Sequence, residues 1–245
     1  MKNRHIFYSI AGVLAALALL DGAVSLYAAA DTLSDPLDLA NVSKIRVNGT
    51  AGIIRISAGA EGPLVAQLKG ERRGWGALWN SSWFSDACPA NGSMRVDGKT
   101  LNVTLGAGPR LYDWSNCTLT LTANLPGDAA VLVDQQAART ELTGNFSVVN
   151  VRSDAGDMWL EGHAQAVSVS GAALRARLAF DKVTQTETIN LSGRMLDASV
   201  AFMQPTEVSY LVEATASYVD SDLPNTPGAR PEIKIRGEMV NVRIE

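Results

Sequence analysis

The chain has 245 residues, a formal net charge of −4, and charged side chains at only 19% of positions. This balance argues against nucleic acid and anionic lipid as partners, both of which need a basic face. Ser, Thr, Asn and Gly between aliphatic residues give the composition of a turn-rich β protein, not of a disordered chain.

Residues 1–30 read as an export signal. Lys2 and Arg4 open the chain, Ile6 to Leu20 is apolar apart from Ser9 and Gly12, and Ala28, Ala29 and Ala30 offer a small-residue cleavage site. Asp21 interrupts the run, which weighs against a stable membrane span; an uncleaved N-terminal anchor is the alternative. Residues 31–41 form a polar lead-in with Pro36, and residues 42–245 are expected to make a single domain.

Glu71 to Ser93 is the longest break in the strand pattern and reads as an insertion. It carries Trp75, Trp79 and Trp83, whose steps of four would align the indoles on one face of a helix. Arg72 and Arg73 precede them, and Trp114 follows in the next loop. Two readings compete: an aromatic platform for a sugar, an apolar ligand or a partner, and a lid over the open end of a strand stack. Cys88 and Cys117 are the only cysteines. In an exported chain they are expected to pair, closing a loop worth about 3 kcal/mol by chain entropy; two buried free thiols are the alternative.

From Val131 onward one spacing recurs, with apolar or small residues at i, i+2, i+4, then i+7, i+9 and i+11. Starts at 131, 149, 167 and 189 give, for example, Val167, Val169, Gly171, Leu174, Ala176, Leu178 and Ile189, Leu191, Gly193, Leu196, Ala198, Val200. Steps of two place side chains on one strand face. The step of three reverses parity, so a corner must turn the second half inward again. Copies also start at 45 (Ile45, Val47), at 94 (Met94, Val96, Gly98, Leu101) and at 233, with a blurred one at Tyr210. The 233 start lies two periods of 22 after 189, which predicts the blurred copy between them. A period near 20 predicts an all-β chain wound as a β-solenoid, whose rungs bury their aliphatic side only by stacking. A β-sandwich is the alternative.

The catalytic inventory is sparse. The one histidine after the signal, His163, reads as a lone loop residue, since no GxSxG or paired nucleophile accompanies it. No GxGxxG or GxxxxGK[ST] occurs, and one His with two Cys cannot build a zinc cluster. Asp154, Asp157 and Glu161 at one corner, with Asp220 and Asp222 at another, could hold Ca²⁺ or act as acid and base on a polysaccharide. The repeats do not carry these acids forward: Asp154 aligns with Ala172 and Arg194.

The signal-like start, INLSG-type strand–corner pairs, the LPGDAAVLVD run before the repeats, and the SGxxL and RSDAGDMWLEG segments resemble a large family of exported bacterial β-strand-repeat proteins, often labelled adhesins. The resemblance spans about residues 40–245, most securely 117–202. It implies a solenoid outside the cytoplasm without catalytic residues, and the Trp-rich insertion is not part of it. The expected function is a non-enzymatic scaffold or adhesion-like binding module of the periplasm or cell surface. The surface expected to bind is Trp75, Trp79, Trp83 and Trp114, with Arg72 and Arg73 at its rim. The expected partner is an envelope protein or a glycan, with no cofactor, and with membrane contact only if the N-terminal segment stays uncleaved. A polysaccharide lyase or hydrolase and an N-terminally anchored envelope sensor are the alternatives.

Overall fold

A computed structural model describes residues 36–72, 92–106 and 117–245, together with Gly12; at 71, 72 and 117 it describes the backbone alone. The export signal, Trp75, Trp79, Trp83, Trp114, Arg73 and Cys88 lie outside the described residues. The chain divides into two compact units. One comprises Met1–Asp35, Lys69–Ala90 and Pro109–Leu119, and the other comprises Pro36–Leu68, Asn91–Gly108 and Thr120–Glu245. The second unit carries almost everything described below.

The protein is all-β. Its strands are β1 (Leu37–Asp38), β2 (Lys44–Ala58), β3 (Val65–Arg72), β4 (Gly92–Asp97), β5 (Thr100–Leu105), β6 (Cys117–Leu125), β7 (Ala129–Phe180), β8 (Thr188–Phe202), β9 (Ser209–Ser221) and β10 (Glu232–Ile244). They join one open sheet in the order β1-β3-β6-β2-β7-β8-β10-β9, with β5 also beside β2 and β4 beside β5. A sandwich needs two facing sheets; the described strands make one, and most of its pairings are parallel.

The repeat spacing is the register of that sheet. Val167, Val169, Gly171, Leu174, Ala176 and Leu178 of β7 pair with Ile189, Leu191, Gly193, Leu196, Ala198 and Val200 of β8. The copy at 45 lies on the copy at 131, with Ile45 opposite Val131 and Ile56 opposite Leu142. The 52-residue β7 holds three runs in succession. Its middle run lies between the other two, since a Cβ on Gly171 would meet the Ser153 carbonyl and one on Gly156 would approach the Ala138 carbonyl.

Burial follows the parity reversal. In β8, Ile189 and Leu191 are buried before the corner and Leu196, Ala198 and Val200 after it; in β2 the same holds for Ile45 and Val47, then Ile54, Ile56 and Ala58. Each column of like residues thus runs through consecutive strands, and the aliphatic columns are the core. Fully burying one such side chain is worth about 1.5–3 kcal/mol, so the inward columns supply the main favourable term against the entropy of ordering the sheet. Phe180 and Phe202 close one column, their rings stacked 5.4 Å apart.

Two expectations about the copies are corrected. Residues 94–105 are not a strand–corner–strand unit: β4 and β5 form an antiparallel hairpin, with Asp97 opposite Thr100 and Gly98 at φ 56° in its turn. The unit beside β2 is instead assembled from β5 and β6, which pair with its two halves separately. The copy at 233 also does not lie two rungs from the copy at 189. β10 pairs directly with β8, Ile233 opposite Ile189, and β9 lies outside it, Tyr210 opposite Ile233. The composition explains that order. β10 offers Ile233, Ile235, Val240 and Val242 to a position covered on both sides, whereas β9 places Tyr210, Ala214 and Ser217 in the same columns.

Candidate functional site

Just past the corner, the outward residues of each strand also fall into columns. One contains Ala173, Met195, Met239 and Ala216; the next contains Arg175, Asp197, Asn241 and Tyr218. Together with Gly156, Asp157, Leu174, Leu196, Val240 and Ser217 they line an open groove of about 760 Å³. Met195, Met239 and Tyr218 are 51%, 56% and 67% exposed. The inward columns already form the core, so these side chains contribute little to folding and leave soft apolar surface in water.

The polar column is cross-linked. Arg175 Nε donates to Asp197 Oδ2 at 3.4 Å, and Asn241 Nδ2 donates to Asp197 Oδ1 at 2.9 Å. Beside it, Arg177 lies 3.9 Å from Asp157 and places its guanidinium 6.0 Å from the centre of the Trp159 ring. Further along the same strands, Arg236 donates to Glu213 at 2.6 Å and Arg243 lies 4.0 Å from Asp220. Exposed pairs of this kind contribute about 0–1 kcal/mol each; their effect here is to fix side-chain positions around the groove.

The carboxylates singled out in the sequence do not converge. Asp154 sits in the corner between Ser153 and Gly156, whereas Asp157 and Glu161 lie on the outward face after it. Asp157 and Asp220 each face an arginine. Among the described residues no group of three or more His, Cys, Asp or Glu is placed to hold a metal ion. Arg72 ends β3. The tryptophan platform and the Cys88–Cys117 pairing rest on residues outside the described set.

His163 departs from its expected role. Its side chain is only 13% exposed, and Nε2 lies 3.0 Å from Oε1 of the fully buried Glu187. Glu187 also accepts from the Thr184 hydroxyl at 2.7 Å and from the Thr184 and Thr186 amides. Burial alone would raise this carboxyl. The Thr184 amide and hydroxyl, the Glu187 backbone and His163 outweigh it and bring it to about 2. The carboxylate ties the loop before β8 to His163 of β7, and the main-chain carbonyl of Glu187 accepts from Glu232 N at 3.1 Å at the start of β10. It acts as a structural clamp; the sequence hid it because Glu187 sits in a polar Thr-rich loop with no motif around it.

No protein-family model matches the chain, and no curated protein does. Solved structures similar to it include a "putative cell adhesion protein" of Clostridium sporogenes ATCC 15579, with TM-score 0.44, 12% identity, and coverage of 86% of this chain and 97% of that one. A "putative adhesin" of Bacteroides fragilis NCTC 9343 aligns with TM-score 0.41 and 13% identity over 87% and 96% of the two chains.

Proposed function

We propose that the protein is an exported, non-enzymatic β-solenoid that serves as an adhesion-like binding module of a bacterial envelope, and that it holds a protein partner in the corner groove. The observation carrying this reading is the pair of columns Ala173–Met195–Met239–Ala216 and Arg175–Asp197–Asn241–Tyr218. Exposed methionine, tyrosine and arginine, ordered by a rigid stack, are the residue types enriched at protein interfaces. The signal-like start supports export, and the in-register parallel columns support a wound stack.

The test is retention of the purified protein on immobilised envelope protein fractions, with a glycan array as a parallel arm. The wild type is expected to be retained by protein fractions. The Met195→Lys/Met239→Lys double variant should bind at least tenfold more weakly, with an unchanged melting temperature because both sites are exposed. Equal retention of the double variant, retention by glycans alone, or no retention of the wild type would each count against the reading.

A further inference from the structure

At one end of the sheet, β9 has β10 on one side and, among the described residues, no strand on the other. We infer that this edge pairs with the same edge of a second copy, antiparallel, about a two-fold axis passing between Thr215 and Ala216.

The backbone settles which groups face outward. Ser209 N donates to Pro231 O and Asp222 N donates to Ile244 O, so both ends of β9 point these amides at β10 or its approach. Alternation along each half then turns the N–H and C=O of Tyr210, Val212 and Ala214, and of Ser217, Val219 and Ser221, toward the open edge. Asn225 confirms the assignment at the first of these: its side-chain amide accepts from Tyr210 N and donates to Tyr210 O, both at 3.0 Å. Nothing comparable covers Val212, Ala214, Ser217 or Val219 among the described hydrogen bonds.

The edge also lacks the usual protections. Ser209–Ser221 contains no Lys, Arg, Pro or Gly. Its two acids, Glu213 and Asp220, already face Arg236 and Arg243 of β10. Ala216 to Asp220 are all exposed, and Val219 is 38% exposed where its partner Val242 is 1%.

Self-pairing follows from the register. The six open-edge residues are the inward-facing ones of the repeat spacing, and that spacing is symmetric about its own corner. Rotating one copy by the two-fold sets Val212 opposite Val219 of the second copy and Ala214 opposite Ser217. The same register therefore pairs free backbone with free backbone and inward side chain with inward side chain. Outward, Glu213 meets Tyr218 and Leu211 meets Asp220, so no like charges oppose. The contact is isologous and closes at two copies; Asn225 ends it at Tyr210.

Sedimentation of the full chain over a concentration series tests this, with Val212→Pro and Val219→Lys. In the monomer the Val212 N–H faces the open edge, so proline there removes no internal bond. The wild type is expected to dimerise, and each variant should weaken dimerisation at least tenfold with an unchanged melting temperature at concentrations where the wild type is monomeric. Amides of 212, 214, 217 and 219 should exchange more slowly as concentration rises. A wild type monomeric up to its solubility limit, filaments that lengthen with concentration, or a dimer that persists in Val219→Lys would each overturn the inference; if Val212→Pro does not fold, Val219→Lys alone decides.

Discussion

Glu187 offers a measurement whose size follows from the structure. Its carboxyl falls from 4.5 to about 2 on folding, so the ionised group contributes about 3 kcal/mol at neutral pH. The folded value lies below the unfolded one, so this contribution is complete above pH 4.5 and is lost as pH falls toward 2. Linkage leaves less than half of it at pH 3 and little at pH 2. Urea unfolding of the wild type and Glu187→Gln across that range isolates it, because the lowered carboxyls of Glu141 and Glu232 are common to both proteins and cancel. The gap between the two stability curves should be about 2–3 kcal/mol at pH 7, since glutamine keeps one acceptor, and should close below pH 3. A gap of constant size from pH 7 to pH 2 would show that shape, not charge, holds the clamp, and the reasoning would fail.

Other consequences read out by unfolding. Leu191→Ala, at a site 1% exposed, should cost about 2–5 kcal/mol, whereas Met195→Ala in the same strand should stay within about 0.5 kcal/mol. Gly171→Ala should destabilise by several kcal/mol or prevent folding, because the new Cβ meets the Ser153 carbonyl of the neighbouring run. Gln135 is 3% exposed and neither end of its side-chain amide is hydrogen-bonded among the described residues; Gln135→Met should raise stability by about 1–3 kcal/mol by removing a buried unpaired amide.

The register of the sheet was legible because a column needs the same residue class at the same place in every strand, and that constraint writes itself into the spacing. Thus Val167 finds Ile189 without any long-range information. The spacing fails where another structure shares its parity. A two-residue turn at Gly98 shifts alternation just as a corner does, so Met94, Val96, Gly98 and Leu101 imitate a rung while forming a hairpin. It fails again where a rung is split: Leu101, Val103 and Leu105 continue at Leu121, Ala123 and Leu125, and the intervening segment conceals the join. Spatial order is invisible for a related reason, since identical columns do not say which neighbour is which. The groove was within reach of the sequence. Once Leu196 and Val240 are inward, Met195 and Met239 must be outward, but the spacing does not say that their strands are neighbours.

The same geometry separates what the stack needs from what it can vary. Inward columns tolerate only residues that fit between two neighbours, and their buried polar members include Gln135 and Thr140, whose side chains make no hydrogen bond among the described residues. Outward columns carry no such demand, yet they are not random: Arg55 lies opposite Glu141, Arg175 opposite Asp197 and Arg236 opposite Glu213, each pair in contact across adjacent strands. Within each pair the matched charges neutralise one another. Against that background the uncharged column of Met195 and Met239 and the bare edge of β9 are two neighbouring places where exposed apolar groups are left open. They adjoin at Ala216 to Tyr218, which belong to both. A partner lodged in the groove would therefore touch the residues that flank the two-fold axis, and dimerisation and partner binding should affect one another. Val219→Lys, which lies outside the groove lining, separates them: groove binding that weakens along with dimerisation means the groove is completed by the second copy, and binding that is retained means one copy suffices.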